Sequence, residues 1–238
     1  MLYFNNTIAK SILLCSTILL LVSCQFNGIK GSGNVTTENR PVSEDFKSIK
    51  VDKGLDVVLE QSNTKSITVI ADDNVHKHIK TSIENGVLII TSDVTSYLNV
   101  DSKKIVVCTP MIENIKVSSG ASLNSKNTIK NSSIALKASS GASINVMIET
   151  ENALCEASSG SDMKISGKAI ALETAASSGS SLDAEKLVSN QIIASASSGS
   201  NIDVYPLVRL KAVASSGGVI HYHNVPQNLN KQSSSGGS

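Results

Sequence analysis

The chain has 238 residues, a formal net charge of +1, 17% charged residues, and 3% aromatic residues with no Trp. A balance this close to neutral gives no electrostatic basis for nucleic acid, so none is expected as a partner. The scarcity of aromatic platforms argues against a sugar-stacking cleft or a large cofactor pocket, and no cofactor is expected.

Residues Met1 to Lys10 carry one positive charge and no acid, then give way to the apolar stretch Ser11 to Val22. That reads as a secretory signal, too short for a membrane span. The stretch ends in Leu21-Val22-Ser23-Cys24, the pattern of a bacterial lipobox, so Cys24 is the expected lipidation site and first mature residue. An ordinary buried cysteine at the end of an uncleaved helix is the alternative. An acyl anchor makes the membrane a partner and addresses the chain to the cell envelope, as an outer-membrane lipoprotein. Gln25-Phe26-Asn27-Gly28 has no acidic cluster and leaves the periplasmic or surface side open. The expected divisions are a signal peptide over 1–23, a lipidated N-terminus and linker over 24–40, a divergent β-rich part over 41–110, and a repeat region over 111–238.

In the β-rich part, Ile49, Val51, Leu55, Val57 and Leu59 stand at odd offsets from Gly54, which predicts a divergent first coil. Ser66 to Ile70 follows as a strand, then a polar stretch from Asp72 to His78 with the composition of a helical turn. His76 and His78, flanked by Lys77 and Lys80, read as a solvated face. Asn85-Gly86 divides Ile79 to Ile90 as a hairpin turn, and Lys104 to Thr109 is a further strand ahead of Pro110.

From there Ser-Ser-Gly recurs, with its glycine at Gly120, Gly141, Gly160, Gly179, Gly199, Gly217 and Gly236, at spacings of 21, 19, 19, 20, 18 and 19. A short, nearly constant period marks a solenoid with one supersecondary unit per repeat. Three residues after each of the first six glycines stand Leu123, Ile144, Met163, Leu182, Ile202 and Ile220, and three before them stand Val117 and then alanines. Odd offsets are small or apolar and the residues between them are mostly polar, the period of a strand with one face buried. The predicted fold is all-β, a parallel β-helix or β-solenoid with coils of about 19–20 residues, preceded by a divergent β-rich N-terminal part. At the corner, glycine supplies a backbone angle or a close approach that Cβ forbids, and the serines bond neighbouring backbone.

The chain resembles the head GIN domain, an auto-transporter adhesin family common in Gram-negative lipoproteins. The resemblance rests on Gly31-Ser-Gly-Asn-Val35, Arg40-Pro41-Val42, Phe46, Val51 to Val57, Asn85-Gly86 and the Ser-Ser-Gly repeats. It implies an all-β, β-helix-like fold and an adhesive or surface role, and it brings no catalytic residues.

Chemistry-bearing constellations are sparse. Cys15 lies in the signal and Cys24 is the lipidation site, which leaves Cys108 and Cys155 in apolar strand text. They read as buried free thiols, with a disulfide left open. His221 and His223 share a strand face without a third metal ligand, and Asp183 with Asp203 falls short of a calcium shell, so no metal is expected. No serine stands in a nucleophile elbow. The candidate binding face is Ser122, Asn124, Ser143, Asn145, Asp162, Lys164, Ser181, Asp183, Asn201 and Asp203, the polar residues two and four places past successive glycines. The function expected is a non-catalytic, adhesin-like binding surface, with a glycan or an envelope protein as the possible partner. A carbohydrate-active β-helix enzyme and an envelope assembly or stress-response partner are the alternatives.

Overall fold

A computed structural model describes residues 28–42 and 44–238. The expected signal segment and Cys24 lie outside the described residues. Nine strands precede Pro110: β1 (Gly28–Lys30), β2 (Val35–Arg40), β3 (Ser48–Val51), β4 (Asp56–Gln61), β5 (Ser66–Asp72), β6 (Ile79–Glu84), β7 (Val87–Ser92), β8 (Ser96–Leu98) and β9 (Lys103–Thr109). Eight follow it: β10 (Asn114–Val117), β11 (Ser122–Ala138), β12 (Ser143–Ala157), β13 (Asp162–Ala176), β14 (Ser181–Ala196), β15 (Asn201–Ala214), β16 (Val219–Tyr222) and β17 (Asn228–Ser233). There is no helix among the described residues.

The repeats stack as parallel rungs of a β-solenoid. Inward columns run through the whole stack: Leu136, Cys155, Thr174 and Ala194 lie in register and are fully enclosed. The alanines Ala138, Ala157, Ala176, Ala196 and Ala214 form a second buried column beside the corner, continued toward the front by the buried Val117 and Val51.

Each Ser-Ser-Gly is a tight turn. In the first, the Ala121 amide donates to the Ser118 carbonyl at 3.2 Å, with Ser119 at φ 54° and Gly120 at φ 69°. Two successive left-handed residues define a type I′ turn, the bend whose twist suits the flanking strands. The glycine is there for its dihedral and not for space, since a Cβ on Gly120 or Gly179 would meet nothing within 4 Å. The corners also bond to each other along the stack, Gly120 N to Ser140 O at 3.0 Å and Gly141 N to Ser159 O at 3.1 Å. A further serine, the one after the glycine, is sealed in the wall. Ser161, Ser180 and Ser200 donate through Oγ to the carbonyls of Ala138, Ala157 and Ala176 one rung away, at 3.0, 2.9 and 2.8 Å.

The unequal spacings of the glycines are absorbed in one place. Register shifts fall between Asn124 and Thr128, Lys164 and Ser166, Ala184 and Val188, and Ser189 and Gln191, all on the stretch remote from the Ser-Ser-Gly corner. The corner and its flanking strands keep strict register, and bulges elsewhere take up the extra residues.

The front part is threaded out of sequence order. β3 and β4 form the expected first coil, with Lys53 at φ 60° and Gly54 at φ 68° as its corner and Ile49, Val51, Leu55, Val57 and Leu59 buried. This coil is sandwiched: β3 pairs with β10 on one side and β7 on the other, and β4 with β11 and β9. β7 and β9 thus form an outer rung made from later sequence. Antiparallel strands then end the stack, β6 on β7, β5 on β9 and β2 on β5. The hairpin at Asn85 (φ 50°) and Gly86 (φ 75°) joins β6 to β7 as expected.

Residues 28–40, expected as linker, instead supply β1 and β2, because β5 would otherwise present an unpaired edge. They are clasped by the next turn. Asp72 is buried with no exposure and accepts the amides of Gly33 at 2.9 Å, Asp101 at 3.1 Å and Ser102 at 3.0 Å. Burial works to raise its pKa, but the amide donors together outweigh burial and hold the carboxyl below its ordinary value. Asp73 accepts from Asn34 Nδ2 at 3.0 Å and from Ser32 Oγ at 2.5 Å. The stretch after Asp72 is a series of tight turns, Val75 N to Asp72 O at 2.8 Å and His78 N to Val75 O at 2.9 Å. His76 is not solvated as expected: β2 lies over it, leaving it 8% exposed, with Nε2 3.1 Å from the Thr36 carbonyl and Nδ1 3.2 Å from Glu38.

At the other end, Ser235 and Gly236 make one more corner and Gly217 N donates to Ser235 O at 3.2 Å. The core column that holds Leu136 and Cys155 arrives there at Lys231, whose ammonium lies 5.6 Å from the Tyr222 ring. A lysine in that core-column position of the exposed terminal strand discourages further strand addition.

Candidate binding surface

The residues two places past successive glycines, Ser122, Ser143, Asp162, Ser181 and Asn201, pair rung to rung in that order, and Asp56 of β4 extends the column below them. Beside them Asn124, Asn145, Lys164, Asp183 and Asp203 form the second column, continued by His221. The structure therefore brings all ten residues of the candidate face together on one sheet, as outward columns on either side of the inward column headed by Leu123. Asn124, Asn145, Lys164 and Asn201 are exposed, and the other six are half-buried against their neighbours.

The chemistry of this face is hydrogen bonding at a fixed rise of roughly 4.8 Å per rung. Ser122 Oγ donates to Asp56 Oδ1 at 2.7 Å, and Lys103 Nζ reaches the other oxygen of Asp56 at 2.9 Å. Asp183 accepts the Glu185 amide at 3.1 Å. Asp203 lies 3.0 Å from His223 Nε2, whose Nδ1 stands 3.9 Å from Glu185. β16 ends at Tyr222, so His223 sits past the strand and turns back to Asp203 instead of forming a pair with His221 on one strand face.

A concavity exists elsewhere, at positions that no motif singled out. About midway along each coil between Ser-Ser-Gly corners, a groove of about 720 Å³ is lined by Lys130, Glu149, Glu151, Lys168, Ile170, Val188 and Leu207, among others, and by none of the ten candidate residues. Lys130, Glu149, Lys168 and Val188 pair rung to rung along it, so no break in the repeat marks it in the sequence. Glu149 in this groove is held below its ordinary pKa, by its bond to Lys130 first and by the charge of Lys130 next. A general acid for glycoside cleavage needs the opposite shift.

The two cysteines stay apart as free thiols. Cys155 is buried in the core, and burial pushes its thiol well up. Cys108 is only half-buried, because it occupies an outward position of β9, with Sγ 3.9 Å from Glu60. Among the described residues no cluster of three or more His, Cys, Asp or Glu is placed to hold a metal.

The family profile described as "Putative auto-transporter adhesin, head GIN domain" matches residues 45–226. The chain belongs to the head GIN domain family. Solved structures of the same fold include a "putative adhesin" from Bacteroides fragilis NCTC 9343, with a TM-score of 0.81 at 16% identity, covering 87% of this chain and 97% of that one. A "putative lipid binding protein" from Parabacteroides distasonis ATCC 8503 has a TM-score of 0.73 at 19% identity, covering 89% and 98%. A "putative adhesin" from Parabacteroides merdae ATCC 43184 has a TM-score of 0.66 at 17% identity, covering 87% and 98%. No curated protein matches the sequence. At these identities the structures speak for the head GIN fold alone. The shared architecture is the all-β solenoid that the repeat period predicts.

Proposed function

We propose that this head GIN protein is a lipid-anchored, non-catalytic binding module of the cell envelope, joined to the outer membrane through Cys24, that holds its partner on the ladder face. The observation that carries the reading is the continuity of that face: ten polar side chains in two columns, in register over five rungs. Each contact to such a face is weak, but a ligand with its own repeat engages several at once, and linked contacts multiply. A glycan chain with hydroxyls along its length has the matching chemistry. The family's adhesin description and the fold relatives agree with a binding role.

The non-catalytic reading draws support from the shape. Asp183 and Asp203 are neighbours on an open wall, where water has free access to any sugar ring laid across them, and Asp203 is committed to His223. The test is a glycan array probed with residues 28–238, beside a variant carrying Asn145→Arg and Asp183→Arg. A ligand retained by the parent and weakened about tenfold or more by the variant, each lost anchor being worth roughly 1–2 kcal/mol, is the expected result. A ligand bound equally by both moves the function off this face, and turnover of a polysaccharide by the parent would sink the non-catalytic reading.

A further inference from the structure

We infer that the outward face of the β1–β8 pair is the foot on which the protein rests against the lipid surface, with Leu98 in the headgroup layer. The inference depends on the anchoring at Cys24 proposed above and adds the orientation that this anchoring imposes.

The argument begins with reach. Three residues, Gln25 to Asn27, separate Cys24 from Gly28, where β1 is already bonded to the body. Four steps of chain span at most about 14 Å even when fully extended. A cysteine whose acyl chains are in the bilayer therefore holds β1 at the headgroups. Long flexible tethers leave a domain free to tumble; this one does not.

The surface at that point is suited to the contact. β1 and β8 pair in parallel, Gly28 with Ser96, Ile29 with Tyr97 and Lys30 with Leu98. Strand alternation sends Ile29 and Tyr97 inward, where both pack against the core. It leaves Gly28, Lys30, Ser96 and Leu98 facing away from it. That outward face carries no carboxylate. Leu98 is 47% exposed, an isolated large apolar side chain directly beside the exposed Lys30. A leucine with a neighbouring lysine is the pairing that interfacial segments use, the apolar group at the acyl boundary and the ammonium among phosphates. Of the acids on the adjoining turns, Asp73 is already engaged by Ser32 and Asn34, while Asp101, three residues past Leu98, is exposed near Gly33.

The orientation follows. β1 and β8 sit at the capped end of the stack, and seven rungs separate the Gly54 corner from the Gly236 corner, a rise of roughly 34 Å at about 4.8 Å per rung. The last coil, with Val225 at 77% exposure, then stands far from the lipid, and the ladder face is presented broadside.

The experiment uses the acylated full-length chain in vesicles of phosphatidylethanolamine and phosphatidylglycerol doped with nitroxide-labelled phospholipid. A fluorophore is placed at Leu98→Cys or at Val225→Cys, each with Cys108→Ser to remove the half-exposed thiol. The label at 98 is expected to be quenched at least about twofold and to shift to the blue, as insertion to roughly 5–10 Å requires, while the label at 225 stays unquenched. Mass spectrometry of Cys24 separates the two ideas. If Cys24 carries acyl chains and the label at 98 is no more quenched than the label at 225, the anchor stands and the foot is overturned. If Cys24 carries none, the anchoring reading itself fails and the foot goes with it.

Discussion

The glycine that the solenoid can least do without is not in a Ser-Ser-Gly corner. Gly167 has φ +114°, and a Cβ there would lie 2.0 Å from the Ile148 carbonyl oxygen of the neighbouring rung. Gly179, a corner glycine, has φ +68° and open space around it. Gly179→Ala therefore costs only the left-handed penalty of an L-residue, about 1–2 kcal/mol. The seven serines that already tolerate φ between 49° and 54° in this fold show that the corner accepts such a cost. Gly167→Ala adds a collision with backbone. Ile148 and Gly167 pair directly, so relieving the overlap separates two rungs and gives up at least one buried hydrogen bond, worth about 1–3 kcal/mol when left unmade. With about 2 kcal/mol of backbone strain the sum is roughly 3–5 kcal/mol, a large share of a typical domain's stability. For a chain of this size each kcal/mol lowers Tm by about 2–4 °C, giving roughly 2–8 °C for Gly179→Ala and roughly 6–20 °C for Gly167→Ala. Thermal melts of residues 28–238 followed by circular dichroism in the strand band read both. Equal shifts, or a larger one for Gly179→Ala, would refute the claim that close rung contact at Gly167 outweighs the corner dihedral.

Three further outcomes are expected. The Asp72 carboxyl, held low by its amide donors in the folded state, contributes stability that is fully present above its unfolded pKa near 4 and is lost as pH falls through the lower folded value. Melts between pH 6 and pH 2 should steepen below about pH 4 for the parent and flatten for Asp72→Asn; identical profiles would remove Asp72 as the titrating group. Under native conditions near pH 8 a thiol reagent should modify Cys108 quickly and Cys155 only after denaturation, since the Cys155 thiol is buried and its pKa is pushed up; two fast thiols in residues 28–238 would contradict this core. Lys137 and Glu156 pair across adjacent rungs at 2.9 Å, with side chains 47% and 43% exposed. Lys137→Ala should cost under about 1 kcal/mol in urea denaturation and less in high salt, and a loss above 2 kcal/mol would give surface ladders a larger role than solvent screening allows.

Much of the solenoid was legible because its repeat puts the same physical demand on equivalent positions. The alternation around Gly120, Gly141 and Gly160 translates directly into buried columns, since a strand has only two faces and one must be dry. The same logic located the ten-residue ladder face and the coil around Gly54. The threading of β3 between β7 and β10 had no sequence signal, because strand partners are chosen by three-dimensional fit and every candidate strand carries the same alternation. Residues 28–40 read as linker because β2 is polar on both faces; its role is to pair a backbone edge, which does not select side chains. Cys108 was misread for a parity reason: Val106 and Cys108 share the outward face while Ile105 and Val107 point in, and an all-apolar run hides which is which. His76 was missed because what covers it is a strand from 40 residues upstream.

The order of threading bears on how the molecule comes into being. β3 and β4 are made early, yet the strands on either side of them are made later; Ser122 meets Asp56 across 66 positions of chain. Until those flanks arrive, the pair has two open edges and nothing to lean on, which is the condition in which strands find wrong partners. Once they arrive, the pair is locked like a splint between two boards, and neither board can leave without breaking it. Losing coils from the far end shortens the stack and leaves that lock in place, whereas a nascent chain halted before β11 holds only half of it. The length of this protein is therefore free to vary at one end only.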